Sequence, residues 1–279
     1  MPARAWACAL LAALWLAATA AAAERRPRIL LSDDDGIAAA GLLAAYTELA
    51  RVGDVTVAAP AENQSGVGHG ITYIEPIMMR EIEPLVKTDA PAGKWYRIAA
   101  KPATCVRLAL STLLSERPDL VVSGINRGDN AGLTVYVSGT LGAAREAAFD
   151  GIPAIAASQV VSPEMDYRPG AAFLGRLAAE VLRRGGVPRG TLLNVNIPIG
   201  EIKGVRIVPG ALTAGVNTYE RRVTPRHETY FWNVWAEPTA EGLDSDVGAI
   251  GHGYVAVTPL RVDETEPGAL KELEGWNLK

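Results

Sequence analysis

Short apolar runs, each closed by Gly, Asp, Asn or Pro, alternate along the chain with Ala/Leu-rich stretches whose apolar positions recur at helical spacing. Arg28 to Ser32 and Val55 to Ala59 predict buried strands, with Gly41 to Arg51 as the helix between them. The alternation continues through a helix at Val106 to Leu114, a strand at Leu120 to Ser123, a helix at Leu141 to Phe149 and a strand at Ala154 to Ala157. Ala171 to Arg184 predicts another amphipathic helix, and Leu192 to Ile197 another strand. This order is that of a parallel sheet covered by helices. Beyond Gly204 the helical period fades, and β-type runs such as Tyr230 to Ala236 and Tyr254 to Val257 are expected to complete the sheet or form an arm. The expected organisation is one α/β core over residues 24–203 with a β-rich extension over residues 204–279.

Composition changes this picture first at the front. The chain has 279 residues, 49% of them apolar, and a mean hydropathy of +0.12. Residues 1–23 hold 20 apolar residues, 12 of them Ala, and a single charge, Arg4. Arg4, the uncharged run after it and Ala21-Ala22-Ala23 before Glu24 have the pattern of a cleavable signal peptide. An uncleaved anchor is the alternative, because the run approaches the length needed to span a bilayer. Cleavage would take 23 residues from 279 and leave 256, with 26 Lys+Arg against 31 Asp+Glu, a net charge of −5. Such a chain is expected to be exported, periplasmic or secreted, without a stable membrane span. Cys105 would be its only thiol, so no intrachain disulfide could form. A mildly acidic chain also lacks the broad basic face that binding a nucleic-acid polymer requires.

Candidate chemistry gathers where strands end, since ligands of open parallel sheets collect at their carboxyl ends. Asp33, Asp34 and Asp35 follow the first strand directly, and Gly36 lets the backbone turn there. Their mutual repulsion calls for a counter-charge, and a divalent ion with oxygen ligands would supply one. Helix capping is the simpler alternative, although one Asp would suffice for it. Oxygen-rich segments also follow the second strand, in Glu62-Asn63-Gln64-Ser65, and the third, in Asn126-Arg127-Gly128-Asp129-Asn130. Ser138-Gly139-Thr140 opens a helix and offers hydroxyls and N–H groups to an anion. Together these features suggest metal-assisted chemistry on a phosphate ester.

At these residues the chain resembles the SurE family of metal-dependent nucleotidases. The resemblance rests on Arg28 to Ile37, on Ala59-Pro60 through Asn63-Gln64-Ser65-Gly66-Val67-Gly68-His69, on Ser123 to Gly128, and on Ser138 to Glu146. Pro225-Arg226, Tyr230-Phe231-Trp232 and Gly253 to Leu260 agree as well, so it spans essentially the whole chain after the leader. It implies a Rossmann-like three-layer α/β/α sheet whose C-terminal arm is exchanged between protomers of a homodimer or homotetramer. It also implies one Mg²⁺ or Mn²⁺ per subunit, held by Asp34, Asp35, Ser65 and Asn126, with Asp34 and Asp35 as the catalytic carboxylates. Ser138, Gly139 and Thr140 would hold the phosphate, with Asn130 nearby. The implied reaction is hydrolysis of a nucleoside monophosphate by a metal-activated water, with Asp34 orienting or deprotonating it.

The chain departs from the family pattern at several positions. Asp33 stands where the family has Asn, and Lys101 and Thr104 stand where it has Thr and Asp. Lys101 could offset Asp33 or meet the substrate phosphate, or be an ordinary solvated lysine. Leu133-Thr134 replaces an acidic pair, and Val137 separates Tyr136 from Ser138. Asp33-Asp34-Asp35-Gly36 also looks like the start of a haloacid-dehalogenase-like phosphatase, in which Asp33 would be the nucleophile and Asp35 the acid. An exported solute-binding protein is a third, non-catalytic reading. Tyr230, Phe231, Trp232 and Trp235 could wall a base, although an alternating aromatic strand is more often core or subunit interface. His69, His227 and His252 lack the paired spacing of a zinc site.

Overall fold

The computed structural model describes residues 25–213, 215–236 and 242–278; the expected leader, residues 1–23, lies outside the described residues. Strand β1 (Arg28–Ser32) runs between β2 (Asp54–Pro60) and β5 (Leu120–Arg127), parallel to both. Its side chains alternate between two faces, and both are covered. Ile29 and Leu31 enter one apolar cluster and Leu30 the other. That is why the strand reads as an unbroken apolar run rather than as an apolar/polar alternation.

Helices α1 (Ala40–Val52) and α4 (Arg168–Arg183) pack together over the first face. Helix α2 (Pro102–Leu108), extended by a π turn at Ala109–Leu113, and α3 (Gly139–Phe149) pack together over the second. The helix expected at Val106 to Leu114 therefore starts earlier. Pro102 takes the first helical position, where its missing N–H costs nothing and its fixed φ suits the helix.

The remaining strands of the main sheet are β3 (Met79–Ile82), β4 (Trp95–Ile98), β6 (Ala154–Gln159), β7 (Thr191–Ile197), β8 (Val205–Ile207) and β11 (Val255–Arg261). The nine strands lie in the order β3-β4-β2-β1-β5-β6-β7-β11-β8. Pairing is parallel from β4 to β7, and antiparallel where β3 meets β4 and where β11 meets β7. Two helices, α5 (Asp246–Gly251) and α6 (Pro267–Leu273), flank β11 in sequence.

The region after Gly204 contributes to two sheets. Strands β8 and β11 extend the main sheet, while β9 (Val216–Val223) and β10 (Thr229–Ala236) form a separate antiparallel ribbon. Tyr230, Phe231 and Trp232 on that ribbon are exposed, so they are no part of this chain's own core. A two-stranded ribbon has no third layer to bury a face, and alternation alone does not say which face is covered.

From β1 the chain builds the sheet outward to β2 and β4 on one side and to β5, β6 and β7 on the other. The order reverses between β1 and β5, which opens a crevice at the carboxyl ends of those two strands. Asp33 to Asp35 leave the end of β1 at that crevice, and Asn126 lies near the end of β5.

Candidate active site

The acidic turn is shaped by Gly36, whose φ of +102° lies in the region that favours glycine. A Cβ there would also come within 3.2 Å of the Glu62 backbone. This close passage brings the segment after β2 over the carboxylates. The Ile37 N–H donates to the Pro60 carbonyl at 2.9 Å, and the Gln64 N–H to the Asp34 carbonyl at 2.7 Å. The Asn63 amide then donates to Asp35 Oδ1 at 2.9 Å, while its own Oδ1 accepts the Ser65 N–H at 2.9 Å. From β5, the Arg127 N–H donates to Asp35 Oδ2 at 2.7 Å. Asn126 gives its amide nitrogen to the Gly128 carbonyl at 2.7 Å, which leaves Oδ1 for another partner. Asp34, Asp35, Ser65 and Asn126 are thereby gathered from three separate segments.

The start of α3 closes the site. Ser138 caps the helix, its Oγ accepting the Leu141 N–H at 3.1 Å. Thr140 Oγ1 donates to Asp34 Oδ1 at 2.5 Å. A Cβ on Gly139 would lie 2.9 Å from Asp34 Oδ2, so the bare glycine backbone is what lets the helix start approach this carboxylate. Asn130 is buried behind Thr140. Its amide donates to Ser158 Oγ at 2.7 Å and approaches Thr140 Oγ1 at 3.4 Å, and its backbone N–H donates to Asn196 Oδ1 at 2.7 Å. The Asn194 amide donates to the Asn130 carbonyl at 2.8 Å. This buried network directs the Thr140 hydroxyl toward Asp34, and Asn130 acts through Thr140 rather than from the site surface.

Lys101 is placed elsewhere. Its Nζ donates to the Ile71 carbonyl at 3.5 Å and lines a separate cavity of about 350 Å³ with Glu62, Gln64 and Glu75. The largest influences on the three aspartates come from burial, from one another and from Thr140, Arg127, Asn63 and Ser65. Thr104 uses its hydroxyl to accept the Thr72 N–H at 2.8 Å, which pins the loop after the oxygen-rich segment.

The electrostatics point to missing positive charge. Asp33 is wholly buried and its Oδ2 has no hydrogen-bond partner among the described residues. Burial, then the charges of Asp34 and Asp35, push its carboxyl well above the usual range. Burial raises Asp34 to about 6 against the pull of the Thr140 hydroxyl, with the Asp35 charge adding to the rise. Burial also raises Asp35, against the Arg127 N–H and the Asn63 and Ser65 side chains. Tyr167, buried on the α1–α4 face, is pushed up to about 12 by burial and by the negative charges of Asp35 and Asp33. Among the described residues no group of three or more His, Cys, Asp or Glu side chains is arranged for a metal. A site at this crevice draws half its donors from Ser65 and Asn126. Two carboxylates, a hydroxyl and an amide carbonyl form an all-oxygen set that suits a hard divalent cation, and such an ion would supply the charge that the buried Asp33 lacks.

Ser158, Asn194, Asn196 and Tyr167 belong to this site or its support, and the sequence pattern had not singled them out, whereas Asn63 lay in the oxygen-rich segment after the second strand. Two asparagines at alternate positions of the apolar strand β7 were a usable signal, because a buried polar pair requires partners.

A family model described as "Survival protein SurE" matches residues 29–217. A protein named 5′-nucleotidase SurE from Moorella thermoacetica is 41% identical over 246 residues, covering 87% of this chain and 93% of that one. Its namesake from Rhodopirellula baltica is 38% identical over 250 residues, covering 88% and 96%. The crystal structure of the SurE protein from Aquifex aeolicus superimposes with a TM-score of 0.77 at 35% identity, covering 89% of this chain and 98% of that chain. The chain belongs to the SurE family of survival proteins.

Proposed function

We propose that this chain is a 5′-nucleotidase, a phosphomonoesterase that hydrolyses nucleoside monophosphates to nucleoside and inorganic phosphate. Relatives of that name match along most of their length. The observation that carries the reading is the contact of Thr140 with Asp34, which joins the acidic turn to the start of α3. Helix starts hold N–H groups without intrahelical acceptors and favour an anion, so a phosphate is drawn to the edge of the carboxylate cluster.

Asp34, Asp35, Ser65 and Asn126 would hold one divalent cation, Mg²⁺ or Mn²⁺. When bound, such an ion polarises a phosphoryl oxygen and makes a coordinated water more acidic. The chain's own groups do the positioning. Thr140 fixes Asp34 Oδ1, which sets the direction of the second carboxylate oxygen and suits it to orient a water for in-line attack. Asn63 and the Arg127 N–H occupy one oxygen each of Asp35 and hold it in place. Ser138, Gly139 and Thr140 supply hydrogen bonds that strengthen as charge builds on the phosphoryl oxygens.

A covalent aspartyl-phosphate route fits less well. Its nucleophile would be Asp33, and a wholly buried carboxyl cannot meet a phosphorus atom. A two-lobed solute binder would need a second α/β unit. The described residues form one main sheet and a two-stranded ribbon.

Nucleoside 5′- and 3′-monophosphates, offered with Mn²⁺ or Mg²⁺ and assayed for released phosphate, test the reading. Release from at least one nucleotide, with no acid-stable phospho-protein, is the expected result. A chain that binds nucleotides and releases nothing would be a binder instead. The proposal also includes export through residues 1–23 and assembly into a homodimer or homotetramer, supported by the leader's composition and by the exposed aromatic ribbon. Native mass measurement of the exported protein should find subunits beginning at Glu24 in twos or fours. A monomer that retains Met1 would contradict both.

A further inference from the structure

We propose that the cavity between the end of β6 and α5 takes the nucleoside half of the substrate, an assignment that rests on the nucleotidase reading. The cavity measures about 570 Å³, within the range of sites that enclose small organic ligands. A short stretch of chain after β5 links it to the carboxylate centre. Asp35 accepts the Arg127 N–H, and the next residue is Gly128. A Cβ on Gly128 would lie 3.9 Å from both the Asn126 amide nitrogen and Val161 Cγ2, so this bare stretch of backbone separates the metal-ligand candidate from the cavity wall. Its φ of +118° keeps the position to glycine. Asp129 already lines the cavity, and three residues of chain from Asn126 reach at most ~11 Å. One small molecule can therefore occupy both places.

The wall has the chemistry of a nucleoside. Val160, Val161, Ile199 and Ile250 offer apolar surface to the faces of a base. Val161 and Ile199 are 43% and 53% exposed, which leaves apolar area uncovered by the chain itself. At the rim, His252 Nδ1 lies 2.8 Å from the Gly248 carbonyl, which can only accept, so Nδ1 carries a proton. In the neutral ring Nε2 is then an acceptor, suited to the exocyclic amine of adenine or cytosine. Lys203 donates to the His252 carbonyl at 3.0 Å and steadies this rim, and the Glu201 carboxylate can accept from ribose hydroxyls. The smaller cavity beside Lys101 has no Val, Leu or Ile in its lining, so it offers less apolar surface to the faces of a base.

Gly251, the last residue of α5, lines the larger cavity, and a Cβ built there meets nothing within 4 Å. Gly251→Phe therefore adds an aromatic ring at the cavity lining with no clash at its Cβ. Its kcat/KM for AMP, divided by that for glycerol phosphate, which carries no base, is expected to fall at least about tenfold, the scale of losing a pocket contact. Adenosine binding to EDTA-treated protein, followed by equilibrium dialysis, should weaken to a similar degree, whereas Gly251→Ala should keep most of both quantities. Equal losses for AMP and glycerol phosphate, undiminished adenosine binding in Gly251→Phe, or the same losses in Gly251→Ala would overturn the assignment. If the wild type cleaves neither ester yet binds adenosine through this cavity, the nucleotidase reading fails and the nucleoside site stands. If it cleaves both while adenosine ignores the cavity, the site alone fails.

Discussion

Asp34→Asn is expected to lower kcat for phosphate release by about 10²–10³-fold, the scale set by removing one preorganised electrostatic group from an active site. Asparagine keeps the shape and an oxygen that can accept from Thr140, so the losses are the negative charge and the second acceptor oxygen. The fold should survive this exchange. Asp34 is buried, and burial has already lifted its carboxyl to about 6, so the charge is held at this position against its solvation preference. A neutral amide should leave the melting temperature of the metal-free chain equal or higher. Steady-state phosphate release together with thermal denaturation checks both halves. A variant with wild-type kcat would remove Asp34 from the mechanism, and a variant that unfolds would make its role structural.

Asp33→Asn should have the larger effect on stability. Asp33 is wholly buried, one oxygen has no partner among the described residues, and two like charges adjoin it in the chain. Its folded pKa lies well above its unfolded value, so the folded state holds this proton more tightly. As pH rises above the ordinary carboxylate range, the unfolded chain releases the proton first and the native state loses stability, until pH passes the raised folded value. The amide has no such proton. In EDTA the variant should match the wild type near pH 3 and exceed it at pH 8 by ~1–3 kcal/mol, the scale of an unsatisfied buried polar group. Denaturant melts at the two pH values measure this difference. A gap that is constant with pH, or of opposite sign, would mean that the Asp33 carboxyl is stabilised by something other than its proton.

The strands that frame the site were legible because parallel strands covered on both faces read as continuous apolar runs, as β1, β2, β5, β6 and β7 do. Strands β3 and β4 were not, since four residues each give no period, and β3 is largely exposed at the sheet edge. At the site, three adjacent aspartates at a strand end announced themselves. The residues that brace them from behind did not, because Asn196 and Ser158 lie 66 and 28 positions from the Asn130 groups they contact. Such pairings exist only once the sheet has brought distant strands side by side. Charge arithmetic left Lys101 open as counter-charge to Asp33, as a phosphate contact or as a solvated lysine, and its ammonium meets the Ile71 carbonyl.

Titrating Mn²⁺ into EDTA-treated wild-type protein and into Asp34→Asn, with free ion followed by electron paramagnetic resonance, addresses the proposed divalent cation without reference to turnover. One Mn²⁺ per chain in the wild type, lost or greatly weakened in the variant, is the expected result. No bound Mn²⁺ in the wild type, or equal binding by both, would contradict a metal centre built on Asp34, Asp35, Ser65 and Asn126.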